Sequence, residues 1–187
     1  LQSCTMADES KPAKPGPEQA TTRQRLSNDE RRRQLVGIGL RMFADRPLDE
    51  LKIEDVAREA GISRGLLFYY FPTKRAYYLA VVEAAARRVV RLVSVPPELE
   101  GAQALRYALT HYFDLVERRT DAYALLARSA VSADPDVAAI WEQARGQLTG
   151  AMLDAIGLHD EHTRILVRGW QSMMESIALD WARNHPA

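Results

Sequence analysis

The chain has 187 residues with 25 Lys and Arg against 25 Asp and Glu, and this zero net charge argues against a strongly basic packaging protein. Its one cysteine, Cys4, excludes an internal disulfide and a Cys-rich zinc site, so we expect no metal and no cofactor. No apolar run is long enough to cross a bilayer and the N-terminus lacks a secretory signal, so we expect a cytoplasmic protein.

Residues 1–25 are rich in proline and poor in large apolar side chains. Pro12, Pro15 and Pro17 fall within them. Such a segment cannot bury enough apolar surface to offset the entropy that ordering would cost. We therefore expect a disordered tail, with Met6 as the native first residue.

The first helix is expected to begin at a capping box. Ser27 and Glu30 have the spacing at which a serine hydroxyl accepts from a first-turn N–H and the glutamate reaches back to the cap. Apolar residues then recur at helical spacing from Leu35 and Ile38 onward. The pattern ends at Pro47, because the residue before a proline is disfavoured in the helical conformation.

Two short helices follow, separated by a glycine. The apolar spacing predicts a helix over 53–60 that Gly61 ends, because glycine adopts the left-handed conformation without steric cost. Ser63 then caps a third helix over 64–71, which Pro72 ends. Two such helices with a glycine-containing turn form a helix-turn-helix, whose second helix can enter the major groove of DNA.

A long fourth helix is predicted from Thr73 to the diproline Pro96-Pro97. Further helices are predicted at 98–118, 121–132, 134–156 and 161–184, and no segment shows the alternation of a strand. The expected fold is therefore all-α. The expected domains are a tail at 1–25, a helix-turn-helix DNA-binding domain at 26–75, a connecting helix at 76–95, and a helical ligand-binding and dimerisation domain at 96–187.

The two halves of the chain carry opposite charge. Residues 1–95 contain 17 Lys and Arg against 12 Asp and Glu, a net charge of +5, whereas residues 96–187 carry −5. A basic surface attracts phosphate and an acidic one does not. The N-terminal half is thus the half suited to nucleic acid.

The segment IEDVAREAGISRGLLFYYFPTKRA, residues 53–76, closely resembles the helix-turn-helix signature of the TetR family of transcriptional regulators. The resemblance extends upstream through LRMFA at 40–44 and covers about residues 27–80. It implies a dimer that binds palindromic operator DNA through the third helix and is released by a small-molecule effector. Family members usually have one helix more than the last one predicted here, so we expect an incomplete or smaller dimer interface.

The resemblance also implies the DNA contacts. Arg64 and Gly65 correspond to positions near base edges, Phe68 and Tyr69 to contacts with bases or sugars, and Tyr70 and Lys74 to phosphate contacts. Lys52 departs from the family, which often has a threonine there that caps the second helix and bonds a phosphate. The residues expected to bind DNA are Lys52, Ser63, Arg64, Gly65, Phe68, Tyr69, Tyr70 and Lys74.

Two other motifs favour different functions. Gly61-Ile62-Ser63-Arg64-Gly65 matches G-x-S-x-G, the nucleophile elbow of hydrolases, but that motif works only on a strand-to-helix turn. Residues 159–162, HDEH, hold four potential metal ligands at a weak spacing, and the simpler interpretation is that Asp160 begins the last helix. A small hydrolase using Ser63 is therefore an alternative of low weight, and no catalytic or metal residue is expected.

The last predicted helix carries an apolar stripe too wide and aromatic for a solvated face. We expect it to form a two-fold interface through Leu166, Gly169, Trp170, Met173, Ile177 and Trp181. A helical adaptor that binds a protein through this stripe is the other alternative. Large apolar side chains with a few polar tips upstream suit a small-molecule pocket. Those candidates are His111, Tyr112, Phe113, Tyr123, Leu126, Trp141 and Met152.

Overall fold

The computed structural model describes residues 27–42, 52–118 and 134–184, and within these ranges every regular element is an α-helix. The helices are α1 Asn28–Met42, α2 Ile53–Glu59, α3 Arg64–Tyr70, α4 Lys74–Val93, α5 Gly101–Arg118, α6 Pro135–Ile156 and α7 Glu161–Asn184. This order confirms the all-α prediction. The expected tail at 1–25, the predicted helix at 121–132, and the candidate pocket residues Tyr123 and Leu126 lie outside the described residues.

Side-chain caps begin the helices where the sequence indicated. The Ser27 N–H donates to Glu30 Oε2 over 2.8 Å, and the Glu30 N–H donates to Ser27 Oγ over 3.2 Å, which confirms the capping box. Thr73 Oγ1 accepts from the Ala76 N–H at 2.9 Å and so begins α4. These local bonds explain why the boundaries could be predicted: each needs only residues three positions apart.

The first four helices enclose one apolar core. Leu35 and Ile38 of α1, Val56 of α2 and Leu67 of α3 are buried together against α4. Phe71, at the end of α3, is buried edge-on against Tyr77 of α4, with ring centroids 5.0 Å apart. The short α2 and α3 are thereby fixed on a rigid base, as a recognition unit requires.

The junction between α1 and α4 is unusually close at Gly39. A Cβ at this position would lie 2.5 Å from both Tyr77 Oη and Val81 Cγ2. The Tyr77 hydroxyl donates to the Leu35 carbonyl over 2.8 Å, and burial raises its pKa above the ordinary tyrosine value. The phenol therefore stays neutral and serves as a buried link between the two helices.

The buried face of α4 is wider than the sequence indicated. The predicted stripe ran through Ala76, Leu79, Val82, Ala86, Val89 and Leu92 or Val93. Of these, Val82, Ala86 and Val93 are buried and Leu92 is exposed. The helix also buries four residues outside the predicted stripe, Tyr77, Ala80, Val81 and Ala85. The reason is that α1, α5 and α6 all pack against α4, so it is covered on more than one side.

The helix α6 packs against both halves of the molecule. Val137 in its first turn is fully buried in the core of the first four helices, and Ile140 and Trp141 pack against the same core. The Arg75 guanidinium at the start of α4 donates to Asp134 at 2.7 and 2.9 Å and to Asp136 at 2.6 Å. The C-terminal half is thus fastened directly to the beginning of α4.

Candidate nucleic-acid interface and effector cavity

The turn between α2 and α3 has the geometry of a helix-turn-helix. Gly61 ends α2 with a φ of 62°, a left-handed conformation that favours glycine. The Ile62 N–H donates back to the Ala57 carbonyl over 3.0 Å, which closes the turn. Ser63 Oγ accepts from the Leu66 N–H at 3.1 Å and caps α3. Buried Leu67 then holds the inner side of α3 on the core.

The outer side of α3 is open to solvent. Tyr69 is 69% exposed, and a Cβ on Gly65 would meet only Ser63 Oγ, at 3.9 Å. The fold therefore does not require a glycine at position 65. An exposed tyrosine beside a bare backbone offers a surface that another molecule can approach closely.

Arg64, the first residue of α3, is held in place by two neighbours. Its NH1 lies 3.0 Å from Glu54 Oε1 of α2, and its guanidinium lies 5.4 Å from the centre of the Phe68 ring. Both side chains of the ion pair are more than half exposed, so the pair contributes little to stability. The contact with Phe68, one turn further along, places the Arg64 guanidinium beside α3.

The predicted phosphate-contacting residues surround this face. The Tyr70 hydroxyl donates to Asn28 Oδ1 over 3.3 Å, which joins α3 to the start of α1. Lys74 is exposed in the first turn of α4, and exposed Lys52 precedes α2 without a side-chain capping bond. The missing cap agrees with the expectation that lysine cannot replace a capping threonine.

The hydrolase alternative is wrong on geometry. Ser63 lies between two helices, and no strand occurs among the residues that the structure describes. Its hydroxyl oxygen is engaged in capping α3. A nucleophile elbow needs a strand that leads into the serine, and this turn has a helix there.

The C-terminal helices enclose a cavity of about 640 Å³ between α5, α6, α7 and the end of α4. Its apolar lining residues include Val93, Leu105, Leu109, Leu148, Met152, Ile156, Val167, Trp170 and Met174. Among the described residues, its polar lining consists of Tyr112, Arg145, Thr163, Gln171 and Glu175. A mostly apolar cavity of this size with a few polar groups is typical of a small-molecule site.

Three of these polar groups, Arg145, Gln171 and Glu175, lie at one end of the cavity. Arg145 of α6 is paired with Glu175 of α7, with nitrogen–oxygen distances of 3.2 and 3.4 Å. Burial opposes the charge of Arg145, but its bonds to Glu175 and Glu142 outweigh that cost and raise its pKa. The hydroxyl of buried Thr149 lies 2.8 Å from Gln171 Oε1, which fixes the carboxamide at the same end.

The candidate pocket residues divide into two groups. Tyr112 and Met152 line the cavity. His111, Phe113 and Trp141 are not among its described lining residues. Trp141 packs against the N-terminal core, contrary to the interpretation of its ring as a pocket wall. Its position one turn after Val137 explains this, because α6 enters that core first.

Arg145, Gln171 and Glu175 were not among the predicted pocket residues. A polar residue on an otherwise apolar helix face is a weak signal for a ligand site. Arg145 and Gln171 are seen to lie on such a face only once the packing of α6 against α7 is known. Their role depends on pairing across two helices, which neither the size nor the aromatic character of a side chain indicates.

The predicted dimer stripe on α7 is largely uncovered. Leu166 is 72% exposed and Met173 is 50% exposed, and Ile177 and Trp181 are exposed as well. A Cβ on Gly169 would meet nothing within 4 Å. Leu166 and Trp170 also line the cavity, so the stripe and the cavity share a wall. An apolar surface of this width is expected to be covered in the working protein.

Asp160 begins α7 and has no free carboxylate to offer a metal. Its oxygens accept from the Thr163 N–H at 3.0 Å and from the Thr163 hydroxyl at 2.6 Å. These bonds hold its pKa below the ordinary aspartate value. Among the described residues no group of three or more His, Cys, Asp or Glu side chains could hold a metal ion, and no helix could span a membrane.

Comparison with known sequences gives matches in both halves. Residues 38–81 match the profile of bacterial regulatory proteins of the tetR family, and residues 102–186 match the profile of the tetracyclin repressor-like C-terminal domain. The HTH-type transcriptional activator FasR of Mycolicibacterium smegmatis is 31% identical over 169 residues, which cover 86% of this chain and 76% of FasR. The chain belongs to the TetR family.

Other TetR relatives agree. The HTH-type transcriptional regulator EthR of Mycobacterium tuberculosis is 28% identical over 138 residues, 70% of this chain and 63% of EthR. A TetR-family regulator from Streptomyces coelicolor superposes with a TM-score of 0.75 at 29% identity, covering 86% of this chain and 75% of that one. A TetR regulator from Rhodococcus sp. RHA1, with a TM-score of 0.64 at 18% identity over 87% and 88% of the two chains, shows the same fold.

Membership in the TetR family decides the class of function. TetR proteins are DNA-binding transcriptional regulators and not enzymes, so the adaptor and hydrolase alternatives fall away. They bind operator DNA, form dimers and carry a ligand-binding C-terminal domain. The helix-turn-helix lies in the first matched region, and most of the residues that line the cavity lie in the second.

Proposed function

We propose that this chain is a repressor that binds a palindromic operator as a homodimer and leaves it when a small-molecule effector occupies the cavity. The observation that carries the proposal is the outward face of α3, where Arg64, Gly65 and exposed Tyr69 adjoin a capped N-terminus. An α-helix of this kind fits the major groove of DNA. The relative FasR is named a transcriptional activator. The direction of regulation, repression rather than activation, is therefore a separate part of the proposal.

Each DNA-binding residue has a proposed role. Arg64 can donate two hydrogen bonds to a guanine edge, and Gly65 lets the helix approach the bases without a side chain between them. Lys74, in the first turn of α4, would meet a phosphate with help from the helix dipole. Lys52, Tyr70 and the N-terminus of α3 at Ser63 would hold the backbone, and Phe68 and Tyr69 would contact bases or sugars.

The dimer places the two recognition helices on one face of the DNA. Two copies of the exposed α7 stripe would cover each other across a two-fold axis, which makes the interface self-complementary. The recognition helices then need a separation of roughly 34 Å, one turn of DNA, to enter successive major grooves. A change in that separation is sufficient to lose the operator.

A direct route for such a change runs along α6. Arg145 at the cavity follows Val137 by eight residues on this helix, about 12 Å at a rise of about 1.5 Å per residue. Val137 is buried in the N-terminal core, and Asp134 beside it is paired with Arg75 of α4. A ligand that shifts α6 would therefore shift the start of α4 and the helix-turn-helix attached to it.

The test begins with duplexes selected by the purified protein from a random DNA library. Arg64→Ala should weaken binding to the selected duplex by about 1 to 3 kcal/mol and relax its base preference, because a base contact is lost. Lys74→Ala should weaken selected and unselected duplexes alike and reduce the slope of affinity against salt by about one, because a phosphate contact is lost. Titrations at several salt concentrations measure both effects.

Two results would contradict the proposal. The first is unaltered DNA binding in both variants, which would remove α3 and the start of α4 from the interface. The second is a promoter that contains the selected sequence and is not repressed when the protein is expressed beside it in a reporter strain. The first result rejects the interface, whereas the second rejects only the sign of regulation.

A further inference from the structure

We propose that the effector of this cavity is an uncharged, mainly apolar molecule with one hydrogen-bonding group, and that Glu175 selects it by neutralising Arg145. This inference rests on the proposed effector site. It makes no use of operator binding, so the two can fail separately.

The charges at the polar end of the cavity are already paired. Arg145 and Glu175 are the only charged side chains among the described residues that line it. Arg145 NH2 lies 3.2 Å from Glu175 Oε2. Arg145 also donates to Glu142 of α6 over 2.9 Å, and Glu142 accepts from Arg168 of α7. The series of two arginines and two glutamates has no net charge.

A charged ligand would meet an unfavourable balance at this end. An anion would have to displace Glu175 from Arg145 and then lie beside a carboxylate of the same charge. A cation would have to separate Glu175 from Arg145 and leave the arginine partly unpaired. Either ligand would also lose its hydration on entering an apolar cavity, which is costly unless a partner of opposite charge awaits it.

An uncharged ligand avoids these costs. Its apolar body would contact residues such as Leu109, Met152 and Trp170, and its polar group would lie beside Gln171 and Tyr112. Gln171 is fixed by the Thr149 hydroxyl at 2.8 Å, so the carboxamide is already oriented for a hydrogen bond. A hydroxyl, ester or amide suits that position.

The experiment compares three probes with the same chain and different charge. 1-Dodecanol is neutral, dodecanoate is an anion and dodecylammonium is a cation near neutral pH. Each is titrated against the full chain with the uncharged fluorophore N-phenyl-1-naphthylamine bound, and displacement is followed by fluorescence. We expect the alcohol to act at concentrations about tenfold or more below those of either ion, because only the ions lose charge hydration.

Glu175→Gln tests the selecting residue. The substitution leaves Arg145 with less compensation, so dodecanoate should gain about tenfold in affinity relative to 1-dodecanol through a charge-assisted bond to the guanidinium. Glu161→Gln removes the same charge from the same helix at a residue that does not line the cavity, and it should leave that relative affinity at its wild-type value. Circular dichroism verifies that both variants are folded.

Three outcomes overturn the inference. If dodecanoate or dodecylammonium displaces the fluorophore from the wild-type chain as readily as 1-dodecanol, the cavity does not exclude charge. If the fluorophore does not bind, or if 1-dodecanol does not displace it, the cavity does not take an uncharged apolar ligand of this kind, whatever the selected duplexes show. If the affinity of dodecanoate relative to 1-dodecanol is the same in Glu175→Gln as in the wild-type chain, Glu175 is not the selecting residue. The wild-type ranking needs no variant, so the test stands even if a variant is unstable.

Discussion

Of the described glycines, Gly39 has the least room for a side chain, because α1 and α4 pack closely at this position. Its missing side chain makes room for Tyr77 and Val81. Nothing in the local sequence marks it, because Gly37 two positions earlier appears equivalent within the same helix. Only Gly39 faces α4, and the difference between the two glycines is a difference of environment.

The pair provides a matched test of packing. Gly39→Ala should destabilise the protein by about 1 to 3 kcal/mol, because the methyl group would overlap Tyr77 Oη and Val81 Cγ2. Gly37→Ala, with nothing within 4 Å of its Cβ, should stabilise it by about 0.5 to 1 kcal/mol through helix propensity. Denaturant titration measures both. Equal effects would show that α1 does not pack on α4 through Gly39.

The element that joins the two halves is α6. Its N-terminal cap, Asp134, has two roles. It caps α6 by accepting from the Asp136 N–H at 3.0 Å, and it joins α6 to α4 by accepting from Arg75. The bond from Arg75 holds the pKa of Asp134 below the ordinary aspartate value. A lowered pKa means that the carboxylate is charged at neutral pH and that the link is lost only when the pH falls below that value.

Loss of this link should uncouple the cavity from the DNA. Arg75→Gln should reduce, roughly threefold or more, the ratio of DNA dissociation constants measured with and without 1-dodecanol, because couplings of this kind are worth about 1 to 3 kcal/mol. Arg87→Gln on the same helix is the control, since exposed Arg87 pairs only locally with Glu83 in the described contacts. If Arg75→Gln leaves the ratio of dissociation constants at its wild-type value, the Arg75–Asp134 ion pair does not transmit the effect of the ligand to the DNA-binding helices.

At the scale of the whole molecule, we propose the exposed apolar stripe on α7 as the dimer interface. Met173→Glu should produce monomers, because two like charges would face each other across the two-fold axis, and operator affinity should fall with the dimer. Sedimentation and titration with a selected duplex measure the two effects. Gln103→Glu adds the same charge at an exposed residue of α5 and should leave the dimer intact. A dimeric Met173→Glu variant would place the interface elsewhere.

The sequence by itself determined what depends on neighbours along the chain. Caps at Ser27, Ser63 and Thr73, the turn at Gly61 and the end of α3 before Pro72 follow from bonds and clashes that span a few residues. The helix-turn-helix is built almost wholly from such signals. For that reason the sequence predicted the all-α fold, and the resemblance of residues 53–76 to the TetR signature indicated the family.

Only the tertiary structure decided what depends on pairs from distant segments. The entry of Trp141 into the N-terminal core, the link from Arg75 to Asp134 and the pairing of Arg145 with Glu175 join residues that are far apart in the chain. Helical periodicity states that a face is buried, but not which element covers it. The cavity exists only where several such faces meet, so its polar end could not be located from spacing alone.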